Sequence, residues 1–296
     1  MKIYAPTYYK DFRCVADKCT HSCCIGWRIE LSNETTCKYR AASGSYSKFL
    51  TDNIATDDEG SYIPLDSHGR CPHLSPDGLC KIICEYGDGY LSDICREHPR
   101  FYNDLGTHVE VGLGASCIEA ARIILSSPVS NDAVIVGDDD LPTAAMQFPV
   151  PEYRNRIFSL IEYASSYDTL EEEIGAIFAI PKPLLSLENM RRIYSQAEYI
   201  SEDNRRYITN SAPSTVSYDS LTRMLWYFIY RHLSTAENSI DARARIAFAL
   251  LSVRATASIY EFCDSIEEAL RIYSEEIEYS TDNTDAIIFD LSADLI

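Results

Sequence analysis

Basic residues are scarce in this chain of 296 residues, which has 26 lysines and arginines against 45 aspartates and glutamates and a net charge of −19. This balance excludes non-specific nucleic-acid binding, which needs a basic surface, so we expect no nucleic-acid partner. Long apolar runs are also missing: none approaches the roughly 18 residues of a membrane span, and we expect no membrane partner. The first residues, MKIYAPTYYKDFRC, lack the apolar stretch of a secretory signal, so we expect a cytoplasmic protein.

Several familiar motifs are missing as well. The chain has no Gly-x-Gly-x-x-Gly loop, which argues against an ordinary Rossmann cofactor site. It has neither the two Cys-x2-Cys pairs of a simple zinc site nor the Cys-x2-Cys-x2-Cys run of ferredoxins. Any metal site must therefore use another arrangement of ligands.

Cysteine, by contrast, is abundant. The chain has 11 cysteines, and ten of them lie between Cys14 and Cys117. In a reducing compartment such clustering indicates metal binding or catalysis more than disulfides. Thiolates are soft ligands that suit zinc or iron–sulfur irons, and the spacing alone does not distinguish the two.

The densest cysteines are the candidate metal ligands. Short spacings such as Cys19-x3-Cys23 let two sulfurs converge on one centre, and distant cysteines then complete the site. Adjacent side chains project in different directions, so Cys23 and Cys24 need not bind the same centre. We expect Cys37 and Cys263 to be small buried hydrophobes. The candidate ligands are Cys14, Cys19, Cys23, Cys24, Cys71, Cys80, Cys95 and Cys117.

The patterning predicts a mostly α fold in which a loop-rich, metal-bound N-terminal part packs on a helical C-terminal part. Turn signals such as PDG at 76–78 recur in the first part, whereas helical periodicity dominates after residue 152. Residues 121–296 also hold most of the negative charge, with 14 basic and 28 acidic residues. We expect a Cys-rich metal- or cluster-binding region at 1–126, a linker at 127–151 and a helical domain at 152–296.

Four elements in order carry a resemblance to a known family. The segments FRCVADKCTHSCCIGWRIEL, CPHLSPDGLCKI, LSDICREHPRF and SCIEAARIIL resemble the Cys-rich region of the bacterial flagellin lysine N-methylase family. The segment MLWYFIYRHLSTAENSIDARARIAFALL looks more loosely like a helical part of the same family. The first three elements are also similar to a wider class of zinc- or iron-chelating domains, a likeness that indicates only metal binding.

The resemblance implies an S-adenosylmethionine-dependent lysine N-methyltransferase. Its substrate would be the lysine side chains of flagellin, and it would require a [4Fe–4S] cluster, with zinc as the alternative metal. The eight candidate cysteines match the family's cysteines. An alternative is a non-catalytic zinc- or iron-chelating module, and another is a structural zinc domain that presents the helical part to a partner.

Other residues near the cysteines are candidates for the cofactor. We expect Trp27 and Arg100 to contact S-adenosylmethionine, although Arg100 fits equally an ion pair with Asp93 or Glu97. Glu119 fits a supporting role beside Cys117 better than that of a base. The sequence assigns no catalytic residue.

Two kinds of residue are assigned more ordinary roles. Tyr227 and Tyr230 could line a lysine channel, but an aromatic core is the better expectation for each. His21, His73 and His98 lie beside cysteines and could bind a metal, but a turn or surface position is the better expectation for each.

Overall fold

The computed structural model describes residues 1–140, 142–209 and 215–296. The chain divides into two compact units: Met1–Phe12 with Arg100–Ile296, called the helical unit below, and Arg13–Pro99, called the cysteine unit. Each has its own hydrophobic core.

Strands and helices alternate in the first part of the chain, and helices follow. The strands are β1 (Lys2–Pro6), β2 (Ile29–Leu31), β3 (Ala55–Asp57), β4 (Gly60–Ile63), β5 (Arg100–Asp104), β6 (Val109–Leu113) and β7 (Ala133–Asp138). The helices are α1 (Asn33–Arg40), α2 (Ser47–Asp52), α3 (Lys81–Tyr86), α4 (Asp93–Glu97), α5 (Ile118–Ser126), α6 (Val150–Tyr163), α7 (Tyr167–Ile177), α8 (Leu187–Tyr194), α9 (Glu202–Thr209), α10 (Tyr218–His232), α11 (Ser239–Tyr260), α12 (Ile266–Tyr273) and α13 (Thr281–Ala293).

The helical unit is organised around α11, a 22-residue helix. Its sequence is apolar on nearly every face, as expected of a helix surrounded by protein, and Phe248, Leu250 and Leu251 are fully buried. Helices α9, α10, α12 and α13 pack against it. The prediction of a mostly α fold with a helical C-terminal half is confirmed.

The helical unit also contains a sheet of order β5–β6–β1–β7. Strand β1 runs parallel to β6 and antiparallel to β7, while β5 and β6 form an antiparallel pair with Arg100 opposite Leu113. Every residue of β6 is buried, including the charged Glu110. This burial places a carboxylate inside the core, where it requires a partner.

The cysteine unit has a smaller sheet of order β2–β4–β3 and a small core. Ile29, Leu31, Leu50, Ile63 and Ile82 form that core, together with two further buried side chains that are described with the site below. So small a core buries little apolar surface, which leaves a need for additional stabilisation.

The compact units have different limits from the regions expected from the sequence. Residues 1–12 and 100–126 belong to the helical unit because β1, β5 and β6 pair with one another. Within the expected linker 127–151, residues 133–138 form β7, an edge strand paired with β1, and residue 141 lies outside the described residues. Strand pairing between distant segments therefore sets these limits.

Among the described residues, none of the helices is both long enough and apolar enough to cross a membrane.

Candidate metal centre

The site begins with a pairing between two distant segments. Cys24 and Cys71 are joined by a 2.8 Å hydrogen bond from the Cys71 amide to the Cys24 carbonyl, and the amide of Gly26 donates to the carbonyl of Gly69 at 2.9 Å. Gly26 adopts a φ of +91°, a conformation that L side chains rarely take. The glycine of the Cys-Cys-x-Gly-Trp element thus lets the chain turn into this pairing.

A tight hairpin then brings Cys80 toward Cys71. Leu74 and Cys80 form a bridge, the Ser75 amide donates to the Leu79 carbonyl at 2.8 Å, and the Lys81 amide donates to the His73 carbonyl at 2.8 Å. The predicted PDG turn at 76–78 lies at the tip and is confirmed. Local turn chemistry therefore fixes this pair of cysteines.

Cys95 comes from α4. The helix begins at the N-cap Ser92, whose buried hydroxyl accepts a hydrogen bond from the Cys95 amide. Cys71 belongs to the small core of the cysteine unit, and Cys24, Cys80 and Cys95 pack against that core. The structure thus places these four predicted ligands, called the core thiols below, around one core.

Burial controls the acidity of the core thiols. It raises the pKa of Cys71 to about 12 and that of Cys95 to about 11, and it also raises the pKa of Cys80. The other core thiols add to each shift, because nearby thiolates repel one another. A bound cation would reverse this repulsion and favour the thiolate forms.

The adjacent cysteines Cys23 and Cys24 differ in acidity. A hydrogen bond from the Cys23 thiol, helped by Ser22 and Arg70, lowers the pKa of Cys24 to about 7 against the effect of burial. The same hydrogen bond, together with burial, raises the pKa of Cys23. Cys24 is therefore the more acidic thiol of the pair, and Cys23 donates a hydrogen bond to it.

The remaining predicted ligands are Cys14, Cys19 and Cys117. Cys14 is exposed, and Cys19 is half-buried with its thiol donating to the His21 carbonyl at 2.6 Å. Cys117 belongs to the helical unit, where it directly precedes α5 and influences Tyr279 electrostatically. Among the described residues, no group of three or more His, Cys, Asp or Glu side chains is placed so that it could hold a metal ion. The metal-bound state therefore stays a prediction.

Comparison with known proteins finds relatives of this chain in Salmonella. The chain is 31% identical over 139 residues to the flagellar biosynthetic protein FliU of Salmonella muenchen, and this match covers 45% of the chain and 80% of that protein. It is 29% identical over 200 residues to the lysine-N-methylases of Salmonella choleraesuis and Salmonella typhimurium.

The chain belongs to the flagellin lysine N-methylase family. The match with the two lysine-N-methylases covers 64% of the chain but only 48% of either enzyme, so the chain spans about half of their length. No protein-family model and no solved structure matches the chain.

The residues predicted to contact the cofactor have partners within the chain. The indole of Trp27 donates to the Cys23 carbonyl, and its ring lies 6.1 Å from that of His98. Arg100 donates from Nε to the Tyr9 hydroxyl at 2.8 Å. Their role toward S-adenosylmethionine stays a prediction.

Two carboxylates considered with Arg100 are paired elsewhere. Asp93 and Glu97 both form ion pairs with Arg96, at 2.5 and 3.4 Å. Glu119 forms a two-point salt bridge with Arg122, one turn along α5.

Tyr227 and Tyr230 belong to the core of the helical unit. The Tyr227 hydroxyl donates to Glu278 at 2.8 Å and accepts from the Ala115 amide at 3.0 Å. The Tyr230 hydroxyl donates to the Val111 carbonyl. Both side chains are buried, so the aromatic core is confirmed for both.

His73 lies in a turn, as expected, but it is buried, and the expectation that Cys37 is buried is wrong. His73 is 1% exposed, with Nδ1 2.9 Å from the Tyr46 hydroxyl, and burial lowers its pKa to about 4. It packs edge-on against Tyr46 and Phe49, in the manner of an aromatic residue. Cys37 is exposed.

A buried charge centre in the helical unit was not predicted. Glu278 is fully buried, and its carboxylate lies 2.6 Å from His232 Nε2 and 3.4 Å from Arg231 Nε. Burial alone would raise the pKa of Glu278, but Arg231 and His232 outweigh it and lower that pKa to about 2. The only sequence signal was the charged YRH step that ends an apolar helix.

Proposed function

We propose that this chain is a protein lysine N-methyltransferase that transfers a methyl group from S-adenosylmethionine to lysine side chains of flagellin. The observation that carries the proposal is the 200-residue similarity to two proteins named lysine-N-methylase. The similarity to a protein named for flagellar biosynthesis supports flagellin as the acceptor. The cysteines of the chain support a second cofactor, a [4Fe–4S] cluster.

The proposed [4Fe–4S] cluster would be held by the core thiols Cys24, Cys71, Cys80 and Cys95. The chemistry of the donor set fits such a group, because four soft sulfur ligands belong to or pack against one core. The described side chains do not form a closed metal-binding group, so binding would have to draw the four sulfurs together. When bound, the cluster supplies iron–thiolate bonds that tie these segments together, which offsets the small apolar core. Cys23 would remain a donor to Cys24, with Cys14, Cys19 and Cys117 outside this set.

With four thiolate ligands, each iron of the cluster would be bound by one cysteine, and no iron would be open. S-Adenosylmethionine would then bind to other groups, with Trp27 and Arg100 as the proposed contacts. The alternative is a cluster on three cysteines with one open iron that binds the methionine amine and carboxylate. Adding S-adenosylmethionine to the reduced cluster and recording its paramagnetic resonance separates the two: we expect an unchanged signal, and a changed signal would support the open iron.

The acceptor lysine must lose a proton before it attacks the methyl group, because only the neutral amine is a nucleophile. Its unperturbed pKa of about 10.4 leaves it protonated at neutral pH. The negative charge of residues 121–296, with 28 acidic against 14 basic residues, would attract a lysine-bearing surface. Weaker methylation at high salt is the corresponding expectation.

The test is methyl transfer to purified flagellin. The protein, prepared without oxygen, is incubated with S-adenosylmethionine carrying a labelled methyl group, and flagellin is digested and sequenced by mass spectrometry. We expect label on lysine side chains, lost in Cys24→Ser and kept in Cys37→Ser, whose thiol is exposed. A protein that binds metal but leaves flagellin unlabelled would instead be a chelating module without catalysis.

A further inference from the structure

A buried hydroxyl without a partner lies in the core of the cysteine unit. Tyr39, on α1, is 0% exposed and is one of the largest fully buried side chains of the chain. Its hydroxyl is shielded from solvent and has no hydrogen-bond partner among the described residues. Buried polar groups are normally hydrogen-bonded, so an orphaned one requires an explanation, such as a bound group.

The surroundings of this hydroxyl are rich in sulfur. Tyr39 and Cys71 belong to the same buried core, against which Cys80 and Cys95 pack. Burial and the electrostatic influence of these three thiols raise the pKa of Tyr39. A tyrosine hydroxyl carries its proton at neutral pH even when its pKa is unperturbed, and a protonated hydroxyl is a donor that needs an acceptor.

We propose that the Tyr39 hydroxyl donates a hydrogen bond to a sulfur of the metal group held by the core thiols. The inference rests on the proposed function, because it requires that Cys71, Cys80 and Cys95 bind such a group. A phenylalanine would fill the same space without leaving a buried hydroxyl unpaired. Tyr39 would be a positioning residue, and its hydrogen bond would stabilise the bound group and raise its reduction potential.

The same core offers a matched control. Tyr86, on α3, also packs against this core and also has a shielded hydroxyl without a hydrogen-bond partner among the described residues. Its electrostatic neighbours are Glu85 and Tyr90 rather than cysteines, and its ring stacks on that of Tyr90 at 4.7 Å. Tyr86→Phe thus removes a comparable hydroxyl away from the thiols.

The experiment compares wild type, Tyr39→Phe and Tyr86→Phe, all purified without oxygen as full chains. The rate at which bound metal is lost to a chelator is followed by absorbance, and the midpoint potential is measured by redox titration. We expect about tenfold faster loss in Tyr39→Phe, as for other residues that support metal ligands. Its potential should be more negative, while Tyr86→Phe behaves as wild type.

Denaturation of the metal-free proteins tests whether a substitution acts by destabilising the fold rather than by weakening metal binding. Metal-free Tyr39→Phe should be at least as stable as wild type, because it lacks the unpaired hydroxyl. Equal rates and potentials in all three loaded proteins would overturn the role of Tyr39 and leave the proposed function intact. A wild type that binds neither iron nor zinc would refute both the cofactor and the role of Tyr39. Failure of methyl transfer alone would leave a difference between the two variants standing.

Discussion

The amide of Cys71 donates a 2.8 Å hydrogen bond to the carbonyl of Cys24, although 46 residues separate them in the chain. This bond makes the Cys-Cys-x-Gly-Trp element and the Cys-Pro element two sides of one structure. The neighbouring bond from Gly26 to Gly69 extends the pairing, and its geometry depends on the positive φ of Gly26. The arrangement of the core thiols therefore depends on one glycine that is not a ligand.

Replacing Gly26 with alanine tests this dependence. A Cβ at Gly26 would meet no atom within 4 Å, so the cost is one of backbone conformation alone. We expect a loss of about 1–3 kcal/mol in the free energy of unfolding, measured by urea denaturation.

Gly89→Ala is the control, because a Cβ there also meets no atom within 4 Å and the backbone lies outside the left-handed region. It should change stability by less than about 0.5 kcal/mol. Equal effects of the two substitutions would show that the conformation of Gly26 is not required.

Cys24 is expected to be the most sensitive of the adjacent pair. Cys24→Ser removes a core thiol, whereas Cys23→Ser replaces the thiol that donates to Cys24 with a hydroxyl that can also donate. We expect Cys24→Ser to lose most of the bound metal and Cys23→Ser to retain it, measured by elemental analysis after purification without oxygen. Retention by Cys24→Ser and loss by Cys23→Ser would reverse the assignment.

Because Glu278 lies in the buried charge centre of the helical unit, we expect Glu278→Gln to lower the free energy of unfolding strongly. The substitution leaves Arg231 in the core without its counter-ion, and removal of one partner of a buried pair costs about 3–5 kcal/mol. Glu172→Gln is the control, because Glu172 and Lys182 form an exposed pair that should contribute less than about 1 kcal/mol. Chemical denaturation of both variants measures the difference, and similar losses would contradict the burial of this centre.

Because of Glu110, we expect the folded state to lose stability in acid. Burial alone would raise its pKa, but Arg154, at 2.6 and 2.8 Å, outweighs burial with help from His108 and Ser234, and the pKa falls from 4.5 to about 2. A carboxylate with a depressed pKa in the folded state adds stability above its unfolded pKa, and that stability is lost as the pH falls through the folded value.

Between about pH 4.5 and 2, this carboxylate should therefore account for about 3 kcal/mol of lost stability. Denaturation of wild type and Glu110→Gln across that range should give a shallower fall for the variant. Parallel curves would mean that Glu110 does not titrate with folding.

The sequence predicted the features that rest on local pattern. Helices α10 and α11 follow from long apolar periodic segments, and α5 from the segment that begins at Ser116. Turn residues likewise predicted the turn at 76–78, between Cys71 and Cys80. These features depend on neighbours within a few residues, which a single sequence displays directly.

Other features depend on partners that the sequence does not display. The pairing of Cys24 with Cys71 and of β1 with β6 and β7 joins distant segments whose register only the folded chain sets. Glu110 and Glu278 resemble surface charges in the sequence, because their cationic partners come from other elements. His73 lies in a turn, as expected, but its burial depends on Tyr46 and Phe49, which come from another segment.

The measurement that tests the central claim most directly is the iron, sulfide and zinc content of the full chain purified without oxygen. Iron and acid-labile sulfide in equal amounts, about four of each per chain, together with the visible absorbance of an iron–sulfur protein, is the predicted result. Colourless protein that contains zinc and no sulfide would contradict the account.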